Sequence, residues 1–152
     1  MKTFTAAMLA VAAVTAGAVA SETPALMSED PGFRKLQENW GFADARIAGD
    51  TIYLSGVVAG TRTGETDLEA AYGRAFEDIG AILKRAGASW ADVVDITSFH
   101  TDLKTQMPAI VAVKSRYIKA PFPAWTAIQV VRLIPDNGIT EIKIIARRPA
   151  KR

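Results

Sequence analysis

The 152-residue sequence has no cysteine and a single histidine, His100. The first absence excludes a disulfide framework, so the folded chain must be held by its core or by assembly. The second leaves no set of ligands for a metal centre, and none is expected. Excess charge is also missing. The 18 basic and 16 acidic residues give a net charge of +2, which makes no electrostatic case for a nucleic-acid partner. The basic end "ARRPAKR" reads as a solvated tail. A long apolar run occurs only at the start, in "MKTFTAAMLAVAAVTAGAVA". A charged Lys2, a short apolar stretch over Ala6–Val14 and the small-residue pattern Ala18-Val19-Ala20 have the layout of a secretory signal peptide cut before Ser21. The stretch is short for a bilayer span, and Ala is a weak membrane former. No cysteine follows the cut to carry a lipid. The expected organisation is a signal peptide over 1–20, an arm over 21–41, a domain over 42–148 and a tail over 149–152. The mature chain is expected in the periplasm or outside the cell, free of the membrane.

The elements follow from local pattern. Pro24 and Pro31 break the arm, which leaves room for a short helix over Phe33–Asn39. In "ARIAGDTIYLSGVVAG", Gly49-Asp50 separates Ala45–Ala48 from Thr51–Ser55 and predicts a hairpin. Thr66 and Glu69 have the spacing of a capping box. Leu68, Tyr72, Ala75, Phe76, Ile79, Ile82 and Leu83 then recur at helical steps, with Lys84 and Arg85 at the end and Gly87 as the stop. A strand is expected over Val93–Thr101 and a second helix over Gln106–Ile118, with Pro108 in its first turn. Two more strands, Thr126–Leu133 and Ile139–Arg147, are joined by the turn residues Pro135-Asp136-Asn137-Gly138.

The order β-β-α-β-α-β-β describes an α+β sandwich. Two helices cannot cover both faces of such a sheet, so they lie on one. The other face, with Ile128 and Val130 or their alternates, is left bare, and a bare apolar face implies self-association.

Three segments, "GDTIYLSGVVA", "GETDLEAAYGRAFEDIGAILKRAGASWADVVDITSFHTDL" and "FPAWTAIQVVRLIPDNGITEIKIIA", occur in the order and near the spacing of the Rid (YjgF-like) imine/enamine deaminase family, which the chain resembles from Phe42 to Arg148. The resemblance implies a chorismate-mutase-like fold, a homotrimer with ligand clefts between subunits, hydrolysis of imines or enamines to keto acids and ammonia, and no metal or organic cofactor. It also implies that an Arg in the last segment grips the substrate carboxylate and that a Glu in the last strand orients water. The charge balance lends nothing to the family's older label of ribonuclease.

The departures bear on function. Trp125 stands at the Arg position, Phe42 where a Tyr is common, and Val111 where an Asn is common. Glu141 fits the Glu position if the 134–138 loop carries one extra residue. These four, with Ser55, Gly56 and Thr126, make the expected ligand set, Glu141 being its catalytic member. A tryptophan forms no salt bridge and offers one donor and an apolar face. The pattern resembles Rid subfamilies without the catalytic Arg, for which deamination does not follow. Two functions stand: an exported trimer binding a small molecule, and a divergent imine hydrolase that uses Glu141. Trp125 reads as a pocket floor or as packing at a subunit interface. Glu141 reads as a water-orienting or a structural group. Ser55 and Gly56 read as amide donors or as a close-packed strand end. His100 reads as structural, and a triad of Ser98 or Ser55 with His100 and an Asp is rejected. Arg132, seven residues from Trp125, lies roughly 20 Å along the strand and cannot serve the same ligand. Arg46 or a residue of the arm could reach the cleft.

Overall fold

The computed structural model describes residues 25–149. The expected signal peptide, its cut at Ser21, the start of the arm and the last three residues of the tail lie outside the described residues. The described chain forms one seven-stranded sheet and three α-helices.

The arm contributes more structure than its prolines suggest. Ala25–Leu26 (β1) adds a short edge strand to the sheet. Asp30 accepts from the Phe33 amide at 2.7 Å and starts a helix over Pro31–Trp40 (α1), which Gly41 ends with φ 71°. The expected helix is present and longer at both ends. Its proline sits in the first turn, where the missing amide costs nothing.

The hairpin is as expected: Ala45–Ala48 (β2) pairs with Thr51–Leu54 (β3). The chain then breaks at Ser55 and Gly56 and resumes as Val57–Gly60 (β4), which pairs with the last strand instead of continuing beside β2. The long helix runs from Leu68 to Arg85 (α2). Its cap differs from the expected box. Asp67, not Thr66, accepts from the Ala70 amide at 3.1 Å, and Glu69 pairs instead with Arg116. An Asp caps as well as a Thr, so the start moves one residue on. The apolar stripe is as expected, with Tyr72, Ala75, Phe76, Ile79 and Leu83 buried against the sheet. Each large side chain so buried contributes about 1.5–3 kcal/mol.

Val93–His100 (β5) leads to a helix over Leu103–Tyr117 (α3). This helix begins three residues before the expected Gln106, because Asp102 caps it by accepting from the Thr105 amide at 3.3 Å. Pro108 therefore lies inside the helix and not in its first turn. There it removes the hydrogen bond that its amide would have given to the Lys104 carbonyl. Ala124–Gln129 (β6) is shorter than Thr126–Leu133 and starts two residues earlier, so Trp125 belongs to the strand. Gly138–Arg147 (β7) closes the sheet.

The sheet order is β1-β2-β3-β7-β5-β6, with β4 also on β7. β7 alternates cleanly: Thr140, Ile142, Ile144 and Ala146 are buried, while Lys143 and Arg147 are exposed. The buried set faces α2 and α3. Register across the other face joins Ile128, Phe99, Glu141 and Val58 in one row and Thr126, Thr97 and Lys143 in the next. Tyr53 is 44% exposed and Ile128 43% exposed, so this face is uncovered in the single chain, as the helix count predicts.

Candidate functional site

Four of the expected residues meet in one cavity of about 770 Å³, to which Phe42, Ser55, Gly56 and Glu141 all contribute. The break between β3 and β4 creates it. Ser55 Oγ donates to the Ala43 carbonyl at 2.6 Å and ties the break to the end of the arm. Gly56 does not adopt a positive φ, so its lack of a side chain serves space, not backbone. A Cβ there would stand 1.8 Å from Glu141 Oε1 and 2.6 Å from its Cγ. The Glu141 side chain thus rests in the hollow that the glycine leaves. Among the described residues its carboxylate has no hydrogen-bond or ion-pair partner, so it is free to hold water or a ligand.

The arm and α2 supply the remaining walls, which sequence reasoning placed only as an arm residue reaching in. Phe33, Leu36 and Trp40 of α1 line the cavity. Phe33 meets Phe42 edge to face at 6.0 Å, and Trp40 is 63% exposed. Arg46 is not among the lining residues. Arg85 does reach the cavity, but its charge is engaged: it meets Asp44 at 2.9 Å and also donates to the Met27 carbonyl. Gln37 holds the other oxygen of Asp44 at 2.6 Å. These contacts clamp α1 and the arm onto α2. Asp78 also lines the cavity; burial, reinforced by the neighbouring Glu77, pushes its carboxyl up.

Trp125 lies elsewhere. It pairs with Ile96 of β5, whereas Glu141 pairs with Phe99. Three residues along β5 and two strand spacings across separate them by about 14 Å between Cα atoms. Their side chains also leave opposite faces of the sheet. No small ligand touches both within one subunit. Lys114 of α3 stands over the indole, with Nζ 4.4 Å from the ring centroid. Val111 is exposed on α3, one turn before Lys114 and on the same side of the helix. Thr126, the next residue of β6, points to the uncovered face with Thr97. Arg132 is held by Asp136 at 2.6 Å in the loop after β6.

A buried polar chain runs from Trp125 into the core. The indole Nε1 donates to Ser98 Oγ at 2.9 Å, Ser98 meets His100 Nε2 at 2.9 Å, and His100 Nδ1 meets Thr140 Oγ1 at 3.0 Å. Thr140 contacts the Tyr72 hydroxyl at 2.7 Å and Gln106 Oε1 at 3.2 Å. Gln106 donates onward to Thr101 at 2.9 Å. One direction satisfies every group. Ser98 donates to His100 Nε2, the Nδ1–H donates to Thr140, Tyr72 donates to Thr140, and Thr140 donates to Gln106. In that arrangement His100 is neutral with its proton on Nδ1. Burial holds its pKa below the usual value, with Gln106 opposing the shift; burial pushes the Tyr72 hydroxyl up to about 12. Ser98 and His100 do touch, since residues i and i+2 of a strand share a face, but both are fully buried and no acid among the described residues hydrogen-bonds to His100 to complete a triad.

Among the described residues, no group of three or more His, Cys, Asp or Glu side chains is placed to hold a metal. Residues 34–148 match the family described as Endoribonuclease L-PSP. The chain is 36% identical over 121 residues to the RutC family protein YjgH of Escherichia coli K12, covering 78% of this chain and 91% of that one. It is 32% identical over 108 residues to the 2-iminobutanoate/2-iminopropanoate deaminase of Dermatophagoides farinae, covering 68% of this chain and 83% of that protein. A solved structure of protein YJGH superposes with a TM-score of 0.72 at 33% identity, over 86% of this chain and 99% of that one.

Proposed function

Because the chain belongs to the Endoribonuclease L-PSP (YjgF/RutC) family, with its chorismate-mutase-like fold, we propose that it acts as a homotrimer holding a small molecule in clefts shared by neighbouring subunits. One subunit contributes Glu141, Gly56, Ser55 and Phe42; the next contributes Trp125 and Val111. The observation that carries this reading is the separation of the two groups. Trp125 and Glu141 lie about 14 Å apart on opposite sheet faces, so they serve one ligand only when two chains bring them together. The uncovered face, with Tyr53, Phe99 and Ile128, supplies the contact area for such assembly. Titration of indole emission with small carboxylates and imino-acid analogues, in wild-type protein and in Trp125→Phe, tests the cleft. A saturable change present in the first and absent in the second supports it.

With Trp125 in place of a guanidinium, the typical deaminase activity is weak. A second reading, divergent imine hydrolysis, is favoured by the unpartnered Glu141 carboxylate in the Gly56 hollow. There it orients a water that adds to the C=N carbon, and the nitrogen leaves as ammonia. No metal or organic cofactor takes part in either reading. Keto acid and ammonia released from an enzymatically generated imine distinguish hydrolysis from simple binding. We also propose export before function, on the strength of the first twenty residues. The intact mass of protein from its native envelope would begin at Ser21; a mass that retains Met1–Ala20 would remove this part of the reading.

A further inference from the structure

We propose that Lys114 is the anion-binding residue of the β6–α3 half of the cleft, and that its ligand is a monocarboxylate joined to an apolar or aromatic body. This rests on the cleft described above. Lys114 is half-buried in the last turn of α3, and among the described residues no Asp or Glu lies within ion-pair distance of it. Arg74, Arg85, Arg116, Arg132 and Arg147 each spend their charge on an acid. An ammonium without an acidic partner gains from compensation. The indole face at 4.4 Å and the negative end of α3 give some, and an anion adds the rest.

The platform beneath the ammonium is fixed. Trp125 Nε1 is held by Ser98, which is anchored through His100 to Thr140, all three fully buried. Ring and charge are therefore placed before any ligand arrives, which lowers the ordering cost of binding. The indole has no donor left for a ligand, so polar recognition falls to Lys114. Its neighbours set the ligand class. With Val111 one turn away and the indole below, a single point charge lies among apolar groups. That suits one carboxylate on an apolar body; a phosphate dianion calls for several donors, and Lys lacks the guanidinium fork. Lys114 thus returns to this place, from the neighbouring helix, the positive charge that position 125 does not carry.

The test is calorimetric titration with phenylacetate and its uncharged counterpart phenylacetamide. Wild-type protein binds the acid roughly tenfold more tightly than the amide, the difference between a charge-assisted and a neutral hydrogen bond. Lys114→Gln abolishes the preference, so that acid and amide bind alike, and Lys114→Arg retains it. A preference that survives in Lys114→Gln, or that is absent in wild-type protein, overturns the assignment and leaves the cleft standing. Failure of wild-type protein to bind either compound at millimolar concentration removes the cleft itself, and this assignment with it.

Discussion

Gly56→Ala separates the fold from the site. The new methyl would lie 1.8 Å from Glu141 Oε1, 2.5 Å from its Cδ and 2.6 Å from its Cγ, where carbon contacts settle near 3.5–4 Å, about the usual optimum. The backbone offers no obstacle, because Gly56 does not need a positive φ. Only the Glu141 side chain must leave. An off-rotamer Glu costs about 0.5–1.5 kcal/mol, and replacing Gly by Ala returns about 0.4–1 kcal/mol by restricting the unfolded chain. Stability therefore changes by less than about 1 kcal/mol, a shift of at most a few degrees in Tm. The carboxylate, however, moves by about 2 Å, beyond hydrogen-bond reach of its former position. The proposed imine hydrolysis should fall by tenfold or more, to the level of Glu141→Gln, if Glu141 serves as a general base. The measurements are keto-acid release and thermal unfolding of the three proteins side by side. Wild-type turnover in Gly56→Ala, alongside loss in Glu141→Gln, would show that the hollow does not position the carboxylate and would refute the reasoning.

Trp125→Arg should raise kcat/KM on 2-iminopropanoate by roughly tenfold or more, the value of a bidentate charge-assisted contact; a wild-type rate equal to that of an Arg-containing relative would contradict the reading of position 125. His100 gives a pH dependence with a defined sign. Its folded pKa lies below 6.5 because burial opposes the charged ring, so the unfolded chain binds the proton first. The stabilisation is complete above pH 6.5 and is lost as pH falls through the folded pKa. Urea unfolding across this range should show the slope in wild-type protein and its loss in His100→Gln.

The elements whose signals are periodic were legible. The α2 stripe, the Gly49-Asp50 hairpin and the alternation of β7 all depend on spacing, and spacing is what sequence displays. Cap choice was less legible: Asp67 and Asp102 each compete with neighbouring residues that could also cap, and local pattern does not choose between them. That moved the start of α3 and placed Pro108 inside it. The cavity was half legible. Phe42, Ser55, Gly56 and Glu141 follow from motif positions, and they do meet. The walls from Phe33, Trp40 and Arg85 depend on how the arm docks, through the buried contacts of Gln37 and Asp44, and no local pattern announces those. The polar chain beneath Trp125 had a weak signal in Ser98 and His100, two apart on a strand. Lys114 had none, because its partner is an indole on a different element.

The central claim is that the site is shared between chains. Static light scattering of the purified protein at micromolar concentration tests it most directly. A mass three times that of the chain is the predicted result. A monomer would leave Trp125 and Glu141 about 14 Å apart on opposite faces of one sheet and would contradict the account.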